Sequence, residues 1–248
     1  MSKSKSFRKV DQTNAEHLEL NLSFDDFKRK IMLRGEELAV VHFPQKVVEL
    51  QELIDTHFGN EKLDIDFKII VPLKELSGEM LGNKFSCIHC FKEGFKSLNG
   101  VVPCNQTIVS MHDIVKKYTK ELLDDANVIR VWISLMIPQV DDGNNLGVEV
   151  LEYVLTEVIA IEDDAKQRLA SIASYYCLRA DLVAKMAKCP YSEDYQKAIE
   201  EEDSLRAYKC MKMLNEVKNN YAVLHDLVMK NLRKIKQPRP SSSGMHFA

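Results

Sequence analysis

Hydrophobic residues recur every three or four positions along most of this chain, and the recurrence sorts it into four long helical segments. The cleanest stripe is Ile108, Met111, Val115, Tyr118, Leu122, Ala126, Ile129, Ile133 and Met136. It predicts a helix with one buried face, roughly 45 Å long at ~1.5 Å per residue. Asn105 stands at its N-cap. A third segment carries Val148, Leu151, Leu155, Val158, Ala165, Leu169, Ile172 and Tyr176 and ends at Ala187 or Lys188, before Cys189-Pro190. Val150, Val154, Ile161 and Val183 fall off that stripe, which predicts burial of more than one face. Ser192 caps the fourth segment, with Leu214, Val217, Tyr221, Leu224, Val228, Leu232 and Ile235 as its stripe. Lys230, Arg233, Lys234 and Lys236 crowd its last turns, where the helix dipole favours cations.

The first segment is less regular. Ser23 and Asp26 resemble a capping box and place its start near Ser23. Phe24, Phe27, Ile31, Leu38 and Val41 form one run, and Val47, Leu50, Ile54 and Phe58 form another. Pro44 lies between them, where a kink is expected. Gly59-Asn60 is the expected C-cap.

Three stretches lack the pattern. Residues 1–20 read as a mobile N-terminal tail. Residues 61–104 alternate briefly at Leu63 to Phe67, then collect Pro72, Gly78, Gly82, Gly94, Gly100 and Pro103, and read as a long linker. Residues 237–248 read as an extended C-terminal tail. The expected fold class is all-α: a four-helix bundle of long helices over 21–236. Apolar residues on both halves of the first segment and on two faces of the third suggest burial against neighbouring copies.

Composition narrows the function. Of 248 residues, 45% are hydrophobic, ample for a core, and the formal net charge of −3 supplies no field for nucleic acid. No apolar run approaches the ~20 residues that span a bilayer. The N-terminus MSKSKSFRKVDQTNAEH has no apolar signal core. An intracellular, reducing location is expected, with Cys87, Cys90, Cys104, Cys177, Cys189 and Cys210 as thiols.

Chemistry is thin. Nucleotide-binding glycine motifs, a nucleophile elbow and an HExxH motif are all missing from the sequence, so no enzyme activity and no cofactor are expected. The runs Asp163-Asp164 and Glu200-Glu201-Glu202-Asp203 read as solvated faces, and Trp132, Tyr175 and Tyr176 as core aromatics. Cys87-Ile88-His89-Cys90 is the one metal-like item. Cys104 and His112 could complete a tetrahedral set, but no second CxxC exists, and no metal is expected.

The sharpest interruption in the second half is Pro138, Gln139, Val140, Asp141, Asp142, Gly143, Asn144, Asn145, Leu146 and Gly147. Proline, glycine, Asn and Asp together make a tight turn between two helices. Read with its flanks, WISLMIPQVDDGNNLGVE over Trp132–Glu149 resembles the activation loop of the 11S regulator (REG) family of proteasome activators. The resemblance continues through Tyr175-Tyr176, Arg179-Ala180, Leu182-Val183, Lys185, Pro190, Glu193-Asp194-Tyr195, Leu224-His225-Asp226, Lys230-Asn231, Lys234-Ile235-Lys236 and Pro238-Arg239. Phe43-Pro44, Lys46 and Glu49-Leu50 fit the family's first helix. The tyrosine pair and the last-helix matches are most like the gamma, homo-oligomeric branch.

The resemblance implies a heptameric ring that caps the α-subunit ring of the 20S proteasome without ATP. Met245, His246, Phe247 and Ala248 would dock between α subunits, and Pro138–Gly147 would displace the gate, with Asn145 the position of greatest weight. Lys185 is a candidate channel-facing residue, and the gamma branch favours the nucleus over the cytoplasm, although the basic cluster that branch carries in its linker is missing from this sequence. The sequence departs from the family at Gln139-Val140-Asp141, where Arg-Ile-Glu is common, at Leu146, where Phe is common, and at its Phe247-Ala248 end, where Tyr is common. Those departures motivate a second reading, a helical adaptor with weakened or lost activation.

Overall fold

The computed structural model describes residues 21–58, 73–75, 96–98, 102–138, 146–189 and 192–238. Helix α1 covers residues 21–58, α2 Gln106–Met136, α3 Leu146–Lys188 and α4 Glu193–Lys236. The four long helices expected from the periodicity are therefore present. Two three-residue strands, β1 (Leu73–Glu75) and β2 (Lys96–Leu98), pair antiparallel with Leu73 opposite Leu98 and Glu75 opposite Lys96. They lie inside the segment read as a patternless linker; runs this short carry no detectable period. The Leu63–Phe67 alternation, residues 1–20 and the Gly59-Asn60 cap lie outside the described residues.

The α2 stripe is buried from Ile108 to Ile133, with only Met136 half-buried. Asn105 caps the helix as expected: its Oδ1 accepts from Thr107 N–H at 3.1 Å and Ile108 N–H at 3.4 Å. On α4 the stripe from Leu214 to Ile235 is likewise buried, Leu232 being intermediate.

Two readings need correction. The α3 stripe is rotated from the one expected: Leu151, Val154, Val158, Ile161, Ala165, Ile172 and Tyr175 are buried, while Leu155, Leu169 and Tyr176 are intermediate. Arg168 and Arg179 share the buried face, so charged side chains interrupt the true stripe and an apolar scan slides off it. On α1, the helix is already formed at residue 21, so Ser23 is inside it rather than at its cap.

In place of a simple kink at Pro44, α1 widens into a π-helical turn at Leu38–His42, where Phe43 N–H donates to Leu38 O. Proline lacks an N–H and crowds the preceding turn, and a π turn opens that turn by one residue. The extra residue changes the helical phase. Leu38 and Ala39 are buried, but Val40 and Val41 face out at 42% and 48% exposure. Phe43, Leu50 and Ile54 then carry the core stripe onward.

The chain divides into two packing units, each assembled from several stretches of these helices. Among the described residues, one combines stretches that fall within 1–49, 121–164 and 218–248, and the other stretches that fall within 50–120 and 165–217. In the first, Phe43 packs on Tyr221 with ring centroids 5.4 Å apart. The core of the second includes Ile108, Val115, Ile172, Ile199 and Leu214.

Candidate functional site

The expected lever, Pro138–Gly147, is framed by the C-terminus of α2 and the first turn of α3. Pro138 lies two residues past Met136 and is half-buried; proline disfavours a helical conformation at the residue before it, Ile137, and the helix ends just short of that residue. Leu146 and Gly147 open α3. Residues Gln139, Val140, Asp141, Asp142, Gly143, Asn144 and Asn145 lie outside the described residues, as do Met245, His246, Phe247 and Ala248.

What the structure adds is the seat of Gly147. A Cβ there would lie 1.9 Å from the carbonyl oxygen of Pro238 and 2.8 Å from its carbonyl carbon. Only a residue without a side chain fits against that backbone. Pro238 directly follows the last turn of α4, which Gln237 N–H closes by donating to Arg233 O at 3.0 Å. The stem of the loop and the root of the tail are thus in contact.

The approach to the loop is braced in the same unit. Trp132 is 1% exposed, and a Cβ on Gly35 would come within 2.6 Å of its Cε3. The indole nitrogen is buried without a hydrogen-bond partner among the described residues, so shape alone locates the ring. Lys236 forms an ion pair with Glu36. Arg130 Nε donates to Glu162 Oε1 at 2.9 Å, and Lys46 Nζ to Glu121 Oε2 at 2.9 Å.

The π turn is held from α4. With Phe43 N–H diverted to Leu38 O, the next bond in the widened ladder would join residue 44 to Ala39 O, and Pro44 has no hydrogen to give. His225 Nδ1–H fills the vacancy at 2.7 Å from Ala39 O. Nearby, Asp125 Oδ2 accepts from Tyr221 Oη at 3.0 Å and lies 3.3 Å from His42 Nε2. Burial raises the Asp125 carboxyl, and the Tyr221 hydroxyl and the His42 and Arg34 charges oppose that rise.

Lys185 does not belong to this unit. It is exposed near the end of α3, in the second packing unit. That unit contains a buried polar cluster that sequence reasoning missed. Asp203 is 1% exposed; it accepts from Tyr175 Oη at 2.7 Å, Arg179 Nε at 3.0 Å and Asn105 Nδ2 at 3.1 Å. Reading Glu200–Asp203 as one solvated acidic face fails for Asp203, because one turn of helix points successive acids in different directions.

His112 is fully buried beside this cluster. Arg206 Nε–H donates to its Nε2 at 2.7 Å. That nitrogen is therefore bare, and Nδ1 carries the proton it shares with Tyr176 Oη at 2.9 Å. With both nitrogens engaged, His112 is not free to serve as a zinc ligand. Cys87 and Cys90 lie outside the described residues, among which no three His, Cys, Asp or Glu are grouped as a metal would require.

Burial pushes the His112 pKa from 6.5 down to about 4, aided by the positive charges of Arg206 and Lys116. The unfolded imidazole takes up a proton near 6.5, and the folded one resists until about 4. Stability from this site is therefore complete above the unfolded value and is lost as pH falls through the window. Urea unfolding between those limits should show up to about 1.4 kcal/mol of lost stability per pH unit from this group. His112→Asn should flatten that slope; an unchanged slope would refute the assignment.

The chain matches the family description "Proteasome activator PA28, C-terminal" over residues 101–245 and "Proteasome activator PA28, N-terminal" over residues 19–72. The chain belongs to the PA28 family of proteasome activators. It is 32% identical to the human "Proteasome activator complex subunit 3" over 254 aligned positions, covering 96% of this chain and 98% of that protein. The chicken protein of the same name is 32% identical, with 91% and 95% covered. Among solved structures, the 11S subunit of the Plasmodium falciparum proteasome, PA28, superposes with a TM-score of 0.72 at 24% identity, covering 90% and 95%. PA26 in its complex with an archaeal 20S proteasome gives 0.60 at 15% identity, covering 88% and 92%. This PA28 chain shares their fold. Tyr175-Tyr176, Arg179 and His225, quoted above for the family resemblance, now have physical tasks in the buried cluster and at the π turn.

Proposed function

We propose that this chain is a subunit of a homoheptameric ring that activates a 20S proteasome without ATP and has no catalytic chemistry of its own. The observation that carries this reading is the contact between Gly147 and Pro238. A cap that both grips and opens a gated particle must present its grip and its lever to the same partner, and here the roots of the two segments touch. Residues 239–248 extend the grip, with the Ala248 carboxylate as an anion for a basic pocket. The Pro138–Gly147 loop is the lever on the gate. Self-assembly is supported by large apolar side chains left uncovered on one protomer, among them Phe24 and Leu33 on α1, Tyr153 and Ile159 on α3 and Tyr208 on α4. Lys185, exposed on α3, faces the channel in this reading. The site of action is intracellular, where 20S particles are, and likeness to the gamma branch favours the nucleus.

The direct test is hydrolysis of fluorogenic peptides by purified 20S particles with the protein added to saturation. Stimulation without ATP is expected. A stable ring that neither stimulates hydrolysis nor shifts the particle on a native gel would instead support the adaptor reading. Asn145→Tyr should separate the two steps. It removes an amide able to tie the turn to its own backbone and adds bulk. Co-migration with the 20S particle should persist, while stimulation falls on the order of tenfold, the equivalent of ~1.4 kcal/mol. Full stimulation by this variant would remove Asn145 from the mechanism.

A further inference from the structure

We infer that docking of the C-terminal tail positions the activation loop through the seat of Pro238 on Gly147, so that the two act as one coupled device rather than as separate modules. The inference rests on the proposed function and names Gly147 and Pro238 as positioning residues within it. Gly147 is the last residue of the loop and lies in the first turn of α3, and it has no side chain to cushion a shift of its neighbour. That neighbour is backbone, the carbonyl of Pro238, so any displacement of the tail root reaches the loop stem without a flexible side chain between. The tail root is itself restrained. Gln237 N–H is bound to Arg233 O at 3.0 Å, the pyrrolidine ring fixes φ at Pro238, and the residue before a proline is held toward extended conformations. A tail anchored at its far end therefore pulls on a stiff root. Ten residues, 239–248, span at most ~35 Å, short enough that anchoring at Ala248 limits where Pro238 can sit.

The test uses the full-length ring and three variants, Gly147→Ala, Pro238→Gly and the double substitution, each assayed for co-migration with 20S particles and for stimulated peptide hydrolysis at saturation. Residues 245–248 are intact in all three, so binding should persist. Each single variant should lose at least about fivefold in stimulation, the lower end for a coupling between sites. The double variant should lose no more than the worse single, because both break one contact. Losses that multiply in the double variant, or single variants that stimulate like the wild type, would overturn the coupling while leaving the function intact. A wild-type ring that fails to stimulate would overturn the function instead. In that event amide hydrogen exchange on the free ring still decides whether the seat exists. Pro238→Gly should speed exchange in the first turn of α3, and unchanged exchange there would overturn the inference independently of any proteasome.

Discussion

Asp203→Ala will cost about 3–5 kcal/mol of folding stability, the range for removing one partner of a buried ion pair. The carboxylate is 1% exposed and collects three donors, from Tyr175, Arg179 and Asn105. Its removal strands the Arg179 guanidinium, itself 8% exposed, and leaves it the Pro103 carbonyl, 3.4 Å from Nη1, as its remaining acceptor among the described residues. It also frees the Tyr175 hydroxyl inside the core. Asn105 would lose the contact that ties the cap of α2 to α4, so the start of the most regular helix should loosen with it. Chemical denaturation at fixed protomer concentration measures the loss, since assembly adds its own stability. Asp203→Asn retains the shape and one acceptor and should recover part of the loss but not the charge balance. A loss under 1 kcal/mol for the alanine variant would show that the cluster is not the keystone of its unit.

Deleting Met245–Ala248 will abolish association with the 20S particle while leaving the ring assembled. The argument is one of multivalency. A tail of a few residues binds weakly by itself, but tails tethered on one ring bind at an effective concentration in the mM range, and avidity then exceeds single-site affinity by ~10²–10⁴. All of that gain disappears when the docking ends are removed. Among the described residues the last buried one is Ile235, ten positions before Met245, so particle mass in solution should not change. Sedimentation of the ring alone and native-gel mobility with 20S particles measure the two halves of this expectation. Retained co-migration would move the docking role elsewhere on the molecule.

Most of the architecture was legible from spacing, for a physical reason. Where a helix buries one uninterrupted apolar face, as α2 does from Ile108 to Ile133, period and burial are the same information. Spacing failed where burial is polar. Arg168, Arg179, Asp203 and Arg206 occupy core positions where each has a side-chain partner (Glu216 for Arg168, His112 for Arg206, and each other for Arg179 and Asp203), although Arg168 Nη1 and Arg206 Nη2 lack one among the described residues, and nothing in a local window announces a partner tens of residues away. It also failed at Leu38–His42, where a proline signals disturbance but not the form it takes. From composition the loop was legible only as an expected turn, and the lever is what the resemblance implies for it. Its contact with Pro238 was not legible, because residues 147 and 238 meet only through the fold.

The widened turn in α1 has a consequence for how one helix divides its loyalties. By inserting a phase step before Pro44, it lets the two halves of α1 answer to different environments. After the step, Phe43, Leu50 and Ile54 belong to the protomer's own interior. Before it, Phe24, Phe27 and Leu33 stand uncovered at 55%, 48% and 65% exposure. A straight α-helix would have to present one continuous ridge to both. Here a single missing amide hydrogen, with His225 standing in for it, separates what the subunit keeps for itself from what it offers outward.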